Sequence, residues 1–276
     1  LFLSLIFDKV FLMKEILSLE NKTVKFANSL KEKKYRDSHK VFLAEGFKII
    51  LEALKAGLSL RELFIYDPEN NEAQLDELKS FINEGFEDIF NINEKVLKKI
   101  STTDSPQSFV AIFQKKENVS EIEFSELNLY CDRIQDPGNL GSMIRTALAA
   151  NCKTIFCENC VDIYNPKLLR ASAGSVFHTN IITTSIQKLK KLNSDKNLIF
   201  VATNPRAKLN YTEFKSESDQ NCVLMMGNEG HGLSGQAFAA ADVQVKIPIN
   251  PQVESLNVLA ASTLLLFEMQ KKLCTT

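Results

Sequence analysis

Six short apolar runs in the second half of the chain constrain its fold most. They are LNLYCDRI, KTIFC, TNIITT, NLIFVAT, NCVLMMG and VQVKIPI, and helical patterns such as SMIRTALAAN and PKLLRASAG fill the gaps between them. Strands that are apolar throughout, rather than alternating, are buried on both faces, and their spacing by helices predicts a parallel sheet covered by helices on each side. In such sheets ligands bind beyond the carboxyl ends of the strands. The half before it, residues 13–113, alternates helix and strand signals and predicts a smaller α/β domain. There the stretch from Glu15 to Lys40 reads as helical and charged, VFLAEGFKIILEALKAG reads as a helix closed by Gly57, and ELFIYD and SFVAIFQ read as strands. Residues 114–125 are polar and read as a linker, which leaves 126–276 as the second domain.

A chain of 276 residues with 45% hydrophobic content can build one or two cores. Acidic and basic residues nearly cancel (34 against 33), so no global field advertises nucleic-acid binding, and local charge has to be read instead. Six cysteines without a dense framework fit a reduced, cytoplasmic protein. Residues 1–12, LFLSLIFDKVFL, are too short to span a bilayer and are interrupted by Asp8 and Lys9. They are set aside as an upstream extension or a loosely packed helix.

Three strand-end loops carry unusual chemistry. In the first, Asp136-Pro137-Gly138-Asn139 makes a turn in which Asn139 can cap the next helix, Gly141 permits a close approach, and Arg145 lies one turn on. The second places Asn228 and Glu229 among Gly227, Gly230 and Gly232, without either Gly-rich nucleotide-binding fingerprint. The third, IPINPQVESLNV (247–258), carries Glu254, Ser255 and Asn257 into the almost wholly apolar helix VLAASTLLLF. A helix apolar all round is buried, so its first turn offers free N–H groups inside the protein, with Ser255 able to cap it. No Ser–His or Cys–His pairing stands out, which disfavours covalent acyl chemistry. The spacing Cys152-x4-Cys157-x2-Cys160, with Cys222 as a fourth ligand, matches an iron–sulfur pattern. However, KTIFC reads as a buried strand whose neighbours face opposite ways, so a metal is not expected.

Taken together, N-x-G-x-x-x-R, then G-N-E-G-x-G-L-S, then I-P-I…E-S-L-N-V closely resemble the SpoU/TrmH family of RNA ribose 2′-O-methyltransferases, of the SPOUT superfamily. RASAGSVFH (170–178) is similar to an internal element of the same family and places His178 beside it. The resemblance covers 126–276 and implies a parallel-sheet domain with a deep trefoil knot, S-adenosylmethionine as cofactor, and a homodimer formed through this domain. The very apolar last helix suits burial against a partner subunit as well as its own core. The family's catalytic positions fall on Asn139, Arg145, Glu229, Ser255 and Asn257. Its cofactor positions fall on Gly227, Ile247 and Leu256, with Asn228 and Pro248 as neighbours. Residues 13–113 resemble the small ribosomal-protein-like α/β domain that binds the RNA substrate, with VFLAEGFKIILEAL and ISTTDSPQSFVAIF as its recognisable segments. The basic residues Lys22, Lys25, Lys31, Lys33, Lys34, Arg36 and Lys40, against Glu32 and Asp37, form a candidate RNA-contacting stripe; a solvated helix face is the other reading. The implied substrate is RNA, ribosomal RNA in the first place. The alternatives are tRNA, and a catalytically silent RNA-binding or assembly protein.

Overall fold

The computed structural model describes residues 13–83, 85–116, 122–192, 197–216 and 220–273. The expectation for residues 1–12 lies outside these. The chain divides into two compact units, 1–116 and 117–276.

The first unit holds the strands β1 (Lys14–Ile16), β2 (Val41–Glu45), β3 (Leu60–Tyr66), β4 (Ile89–Ile92) and β5 (Phe109–Gln114). They form one mixed sheet in the order β1-β4-β3-β5-β2, in which β5 runs antiparallel to both its neighbours. The helices are α1 (Lys22–Ser29), α2 (Lys33–His39), α3 (Phe47–Lys55), α4 (Glu72–Lys79) and α5 (Glu94–Ile100). Two expectations are corrected here. The first two residues of the supposed helix over 15–40, Glu15 and Ile16, belong to strand β1, paired with β4. The run VFLAEGFKIILEALKAG is strand then helix: all of Val41–Glu45 is buried, and the chain turns at Gly46, whose φ of 100° no helix accommodates. A fully buried strand shows no period-2 alternation, so its apolar residues merged with those of α3.

The basic stripe also changes. It spans two helices, the turn between them that holds Lys31, and Lys40 just beyond the second, and Arg36 is buried at 2% exposure, donating to the carbonyls of Leu30 (2.8 Å) and Lys31 (2.7 Å) between the helices. Arg36 therefore ties the turn together and leaves the RNA-contacting set. Lys25, Lys33 and Lys34 pair with Glu20, Asp37 and Glu32, surface contacts that add little stability. Lys31 donates to the carbonyl of Lys99.

Glu45 explains why the two recognisable segments of this domain go together. Its buried carboxylate accepts from Ser101 Oγ (2.6 Å), Thr102 N (2.7 Å), Thr102 Oγ1 (2.6 Å), Thr103 Oγ1 (2.9 Å) and Gln107 N (3.3 Å), pinning the loop 101–107. Burial alone would raise its pKa, but the hydrogen bonds from Ser101, Thr102 and Thr103 outweigh it and hold the group below the usual carboxylate range. Glu62 on β3 is the opposite case. Burial, and then the charge of Asp88, push it up to about 7, and its Oε2 is buried without a hydrogen-bond partner among the described residues. A carboxyl whose folded value lies above its unfolded one holds its proton better when folded, so stability falls as pH rises from the ordinary carboxylate value through about 7. Glu62→Gln is expected to remove this loss, raising stability at pH 8 by about 1–2 kcal/mol after allowance for solvent screening, with little change at pH 4.5. Thermal melts of both proteins across that range check it; parallel curves would refute it.

The second unit holds β6 (Leu127–Asp132), β7 (Thr154–Glu158), β8 (Asn180–Thr183), β9 (Leu198–Thr203), β10 (Leu209–Asn210), β11 (Asn221–Met226) and β12 (Val243–Lys246). All pair in parallel, in the order β10-β12-β9-β11-β6-β7-β8. Its helices are α6 (Pro137–Ala149), α7 (Pro166–Ala171), α8 (Ile186–Lys191), α9 (Gly235–Ala239) and α10 (Val258–Leu273). The apolar strands supply the core, with Tyr130, Phe156, Phe200, Val223 and Met225 fully buried. The described end of the supposed linker is not loose: Ile122 and Phe124 pack on this core, and the Glu123 carbonyl accepts from Thr154 Oγ1. Helix α10 returns across the sheet to pack on α6, β6 and β11. It is not buried all round within the chain, because Leu264 and Phe267 stand 44% and 45% exposed. Strand β12 ends at Lys246, so Ile247–Asn257 is loop.

Candidate active site

The three chemistry-bearing loops follow β6, β11 and β12, so parallel pairing brings them to the carboxyl end of the sheet. In the first loop Asp136, not Asn139, caps α6: its Oδ1 accepts from Asn139 N at 2.8 Å, and Pro137 takes the first helical position. This corrects the expected cap and frees the Asn139 carboxamide. Its Nδ2 donates to Glu229 Oε1 at 3.2 Å, and its Oδ1 accepts from Asn257 Nδ2 at 3.5 Å. One side chain from each loop thus joins a single hydrogen-bonded chain. Glu229 also accepts from Asp136 N and Asn228 Nδ2. A hydrogen bond from Lys167, then those from the Asn139 and Gly138 amides, hold the Asp136 carboxyl below its ordinary range.

Asn228 organises the second loop. Its Oδ1 accepts from Gly230 N and His231 N, its Nδ2 donates to the Arg133 carbonyl at 2.9 Å, and its backbone bridges to Gly232. Buried Asp132 then anchors the loop's far end by accepting from Ser234 N. Gly227 lies where a Cβ would stand 2.1 Å from the Gly232 carbonyl carbon and 2.2 Å from Leu233 N. Gly141 has a packing reason: a Cβ there would meet the Leu168 carbonyl oxygen at 2.6 Å and Ala171 Cβ at 2.8 Å, so the partner it admits is α7.

In the third loop Asn257, rather than Ser255, caps α10 by accepting from Leu259 N at 2.8 Å. Ser255 is exposed at the wall of a cleft of about 600 Å³. Gly227, Asn228, Glu229, Ile247 and Leu256 line the same cleft, with Met226, Val245, Ile249 and Val258 as apolar walls. The volume suits a nucleoside-sized ligand, and apolar walls with a few polar groups are what such a site needs. Pro248 is exposed and does not line it, and neither does His178. Arg145 is exposed on α6, with no hydrogen-bonded or ion-paired partner among the described residues. Cys131, Cys152, Cys157, Cys160 and Cys222 are free, and among the described residues no group of three His, Cys, Asp or Glu side chains could hold a metal ion. Sequence reasoning missed one wall, made by Thr203 at the end of β9 and by Asn204, Pro205 and Arg206 after it. Its signal was the Asn-Pro turn directly after an apolar strand.

The SpoU rRNA methylase family model matches residues 126–267, slightly more than half the chain. The chain belongs to that family. A second model, the MRM3-like substrate binding domain, matches residues 21–111. The family member 23S rRNA (guanosine(2553)-2′-O)-methyltransferase RlmP of Bacillus subtilis is 28% identical over 94% of this chain and 100% of its own length. An uncharacterized tRNA/rRNA methyltransferase of Synechocystis is 31% identical over 93% of each chain. Among solved structures, the AdoMet-bound rRNA methyltransferase of Sinorhizobium meliloti superposes with a TM-score of 0.82 at 31% identity, covering 94% of this chain and 98% of that one.

Proposed function

We infer that the protein is an S-adenosylmethionine-dependent RNA methyltransferase that methylates a ribose 2′-hydroxyl of ribosomal RNA. The observation that carries this reading is the Glu229–Asn139–Asn257 hydrogen-bonded chain, which binds three separate family motifs into one polar cluster beside a cleft of cofactor size. The cleft fits the cofactor on its own terms: apolar walls suit an adenosine, and a rim bearing both acidic and basic side chains suits a zwitterionic tail. Gly227, Asn228, Ile247 and Leu256 would hold it, and Pro248, which does not line the cleft, would shape the loop beside Ile247.

The cofactor supplies an already electrophilic methyl group. What remains for the chain is to align the ribose hydroxyl and manage one proton. Glu229 and Asn257 fix the carboxamide of Asn139, which orients the substrate. Arg145 acts as a clamp on the target phosphate and hydroxyl, and water takes the proton, because a guanidinium is effectively never deprotonated in proteins. Ser255 receives RNA phosphate, and Asn257, tied both to Asn139 and to α10, holds the active loop. Lys22, Lys25, Lys31, Lys33, Lys34 and Lys40 contact RNA through the first unit, and the match to a substrate-binding domain supports that role.

The exposed apolar residues Leu264 and Phe267 on α10 support a homodimer formed through the catalytic domain. The return of α10 onto α6, β6 and β11 supports the deep trefoil knot of the SPOUT superfamily. Five free cysteines among the described residues support a reducing compartment, the cytoplasm. No helix among the described residues is long and apolar enough to cross a membrane.

Incubation with methyl-labelled cofactor and ribosomal RNA is expected to label the RNA, and mapping 2′-O-methyl sites in cells with and without the gene should show one site lost. Label appearing in tRNA alone would reassign the substrate. If no RNA is labelled and calorimetry detects no cofactor binding, the protein is the silent RNA-binding alternative.

A further inference from the structure

Two cations, Arg206 and Lys246, stand on the wall of the cleft, and neither charged head has an acidic partner among the described residues. Methyl transfer as described above uses neither. Arg206 is placed deliberately. Its backbone N–H is accepted by Asn204 Oδ1 at 2.9 Å, in a side-chain-closed turn. Asn204 is itself tied to β12 twice, through its N–H to the Val245 carbonyl (2.9 Å) and through Nδ2 to Gln244 Oε1 (2.9 Å). The Ala207 N–H closes the turn onto the Asn204 carbonyl, and the Ala207 side chain is buried. The root of Arg206 is therefore fixed to the sheet while its head stands exposed at the cleft.

We propose that Arg206 is the counter-ion for the α-carboxylate of the cofactor's amino-acid tail, and so a specificity-determining residue for S-adenosylmethionine and its product. The proposal rests on the reading of this cleft as the cofactor site. The cofactor carries two positive groups, the sulfonium and the ammonium, and one negative group, the carboxylate. The cleft offers Glu229 and Glu254 as acids, and Glu229 is already held by Asn139, Asn228 and the Asp136 amide. The carboxylate alone requires a cation. A guanidinium fork meets a carboxylate with two parallel hydrogen bonds, whereas the ammonium of Lys246 meets it as a point charge.

The test is calorimetry of the intact protein with S-adenosylhomocysteine and with S-adenosyl-3-thiopropylamine, the analogue that lacks only the carboxylate. Wild type is expected to favour S-adenosylhomocysteine. Arg206→Ala should weaken S-adenosylhomocysteine by roughly tenfold or more and leave the decarboxylated analogue within about twofold, erasing the discrimination. Arg206→Lys should recover only part of it, and Lys246→Ala should leave it in place. Equal weakening of both ligands by Arg206→Ala, or loss of discrimination in Lys246→Ala instead, overturns the assignment. Failure of wild type to bind either ligand removes the cofactor reading itself and this proposal with it.

Discussion

Arg145→Ala is expected to slow methyl transfer to RNA by about 10²–10³-fold, the cost of deleting one preorganised donor from an active site. Binding of S-adenosylhomocysteine and the melting temperature should hardly change. The structural reason is that Arg145 is exposed on α6 and makes no hydrogen bond or ion pair with the described residues, so nothing in the fold depends on its head group. Exposed substitutions of that kind move stability by no more than about 0.5 kcal/mol. The effect should therefore appear in single-turnover rate and RNA affinity, not in folding. Arg145→Lys separates two roles for the side chain. Lysine keeps the charge but loses the planar fork, so a bidentate clamp predicts a large residual defect. A general base predicts instead that the lysine variant shifts the pH–rate profile, since an amine loses its proton far more readily than a guanidinium. An unchanged rate in Arg145→Lys would falsify the bidentate clamp.

Gly227→Ala should be nearly as damaging, but through the fold of the site. A methyl group at this position would have to occupy space 2.1 Å from the Gly232 carbonyl carbon and 2.5 Å from its oxygen, and both are backbone atoms. No rotamer change relieves that contact. The loop 228–232 must move, and with it the bridge between Asn228 and Gly232 and the position of Glu229. Overpacking of this kind costs about 1–3 kcal/mol in stability. Because the displaced backbone lines the cleft, affinity for S-adenosylhomocysteine should fall by roughly 100-fold, the scale on which small misplacements act at such sites. Gly235→Ala is the control: a Cβ at that position would meet no atom within 4 Å, and the residue opens α9, so stability and binding should stay at wild-type values. Normal binding by Gly227→Ala would show that the loop has slack the close contacts do not suggest.

Legibility differed sharply between the two units. In the second, six of the seven strands among the described residues are short apolar runs bounded by polar or glycine-rich turns, readable from that pattern alone. The exception is Leu209–Asn210, two residues long and without a hydrophobic signature. In the first, the apolar residues of Val41–Glu45 and Phe47–Lys55 run on at helical spacing, and only the backbone at Gly46 separates strand from helix. Lys14–Ile16 exists because β4 offers it an edge, a long-range pairing with no local signal. Arg36 shows the same limit for charge. A basic residue among lysines reads as surface, and its burial against the carbonyls of Leu30 and Lys31 follows from where α1 ends and α2 begins.

The sequence by itself determined the parallel α/β class of the second unit, the three loops that carry polar chemistry, and the residue types in them, because apolar runs and turn residues act over a few positions. Only the tertiary structure decided how those residues meet. Asn139, Glu229 and Asn257 lie far apart in the chain, and parallel pairing of β6 with β11, together with the return of α10, is what closes their hydrogen bonds. It also decided that Asp136 and Asn257 do the capping, leaving Asn139 and Ser255 free, and that a fourth loop bearing Arg206 completes the cleft. Local preference can name the groups capable of capping, but which of them is left over for chemistry depends on the partners that distant segments bring.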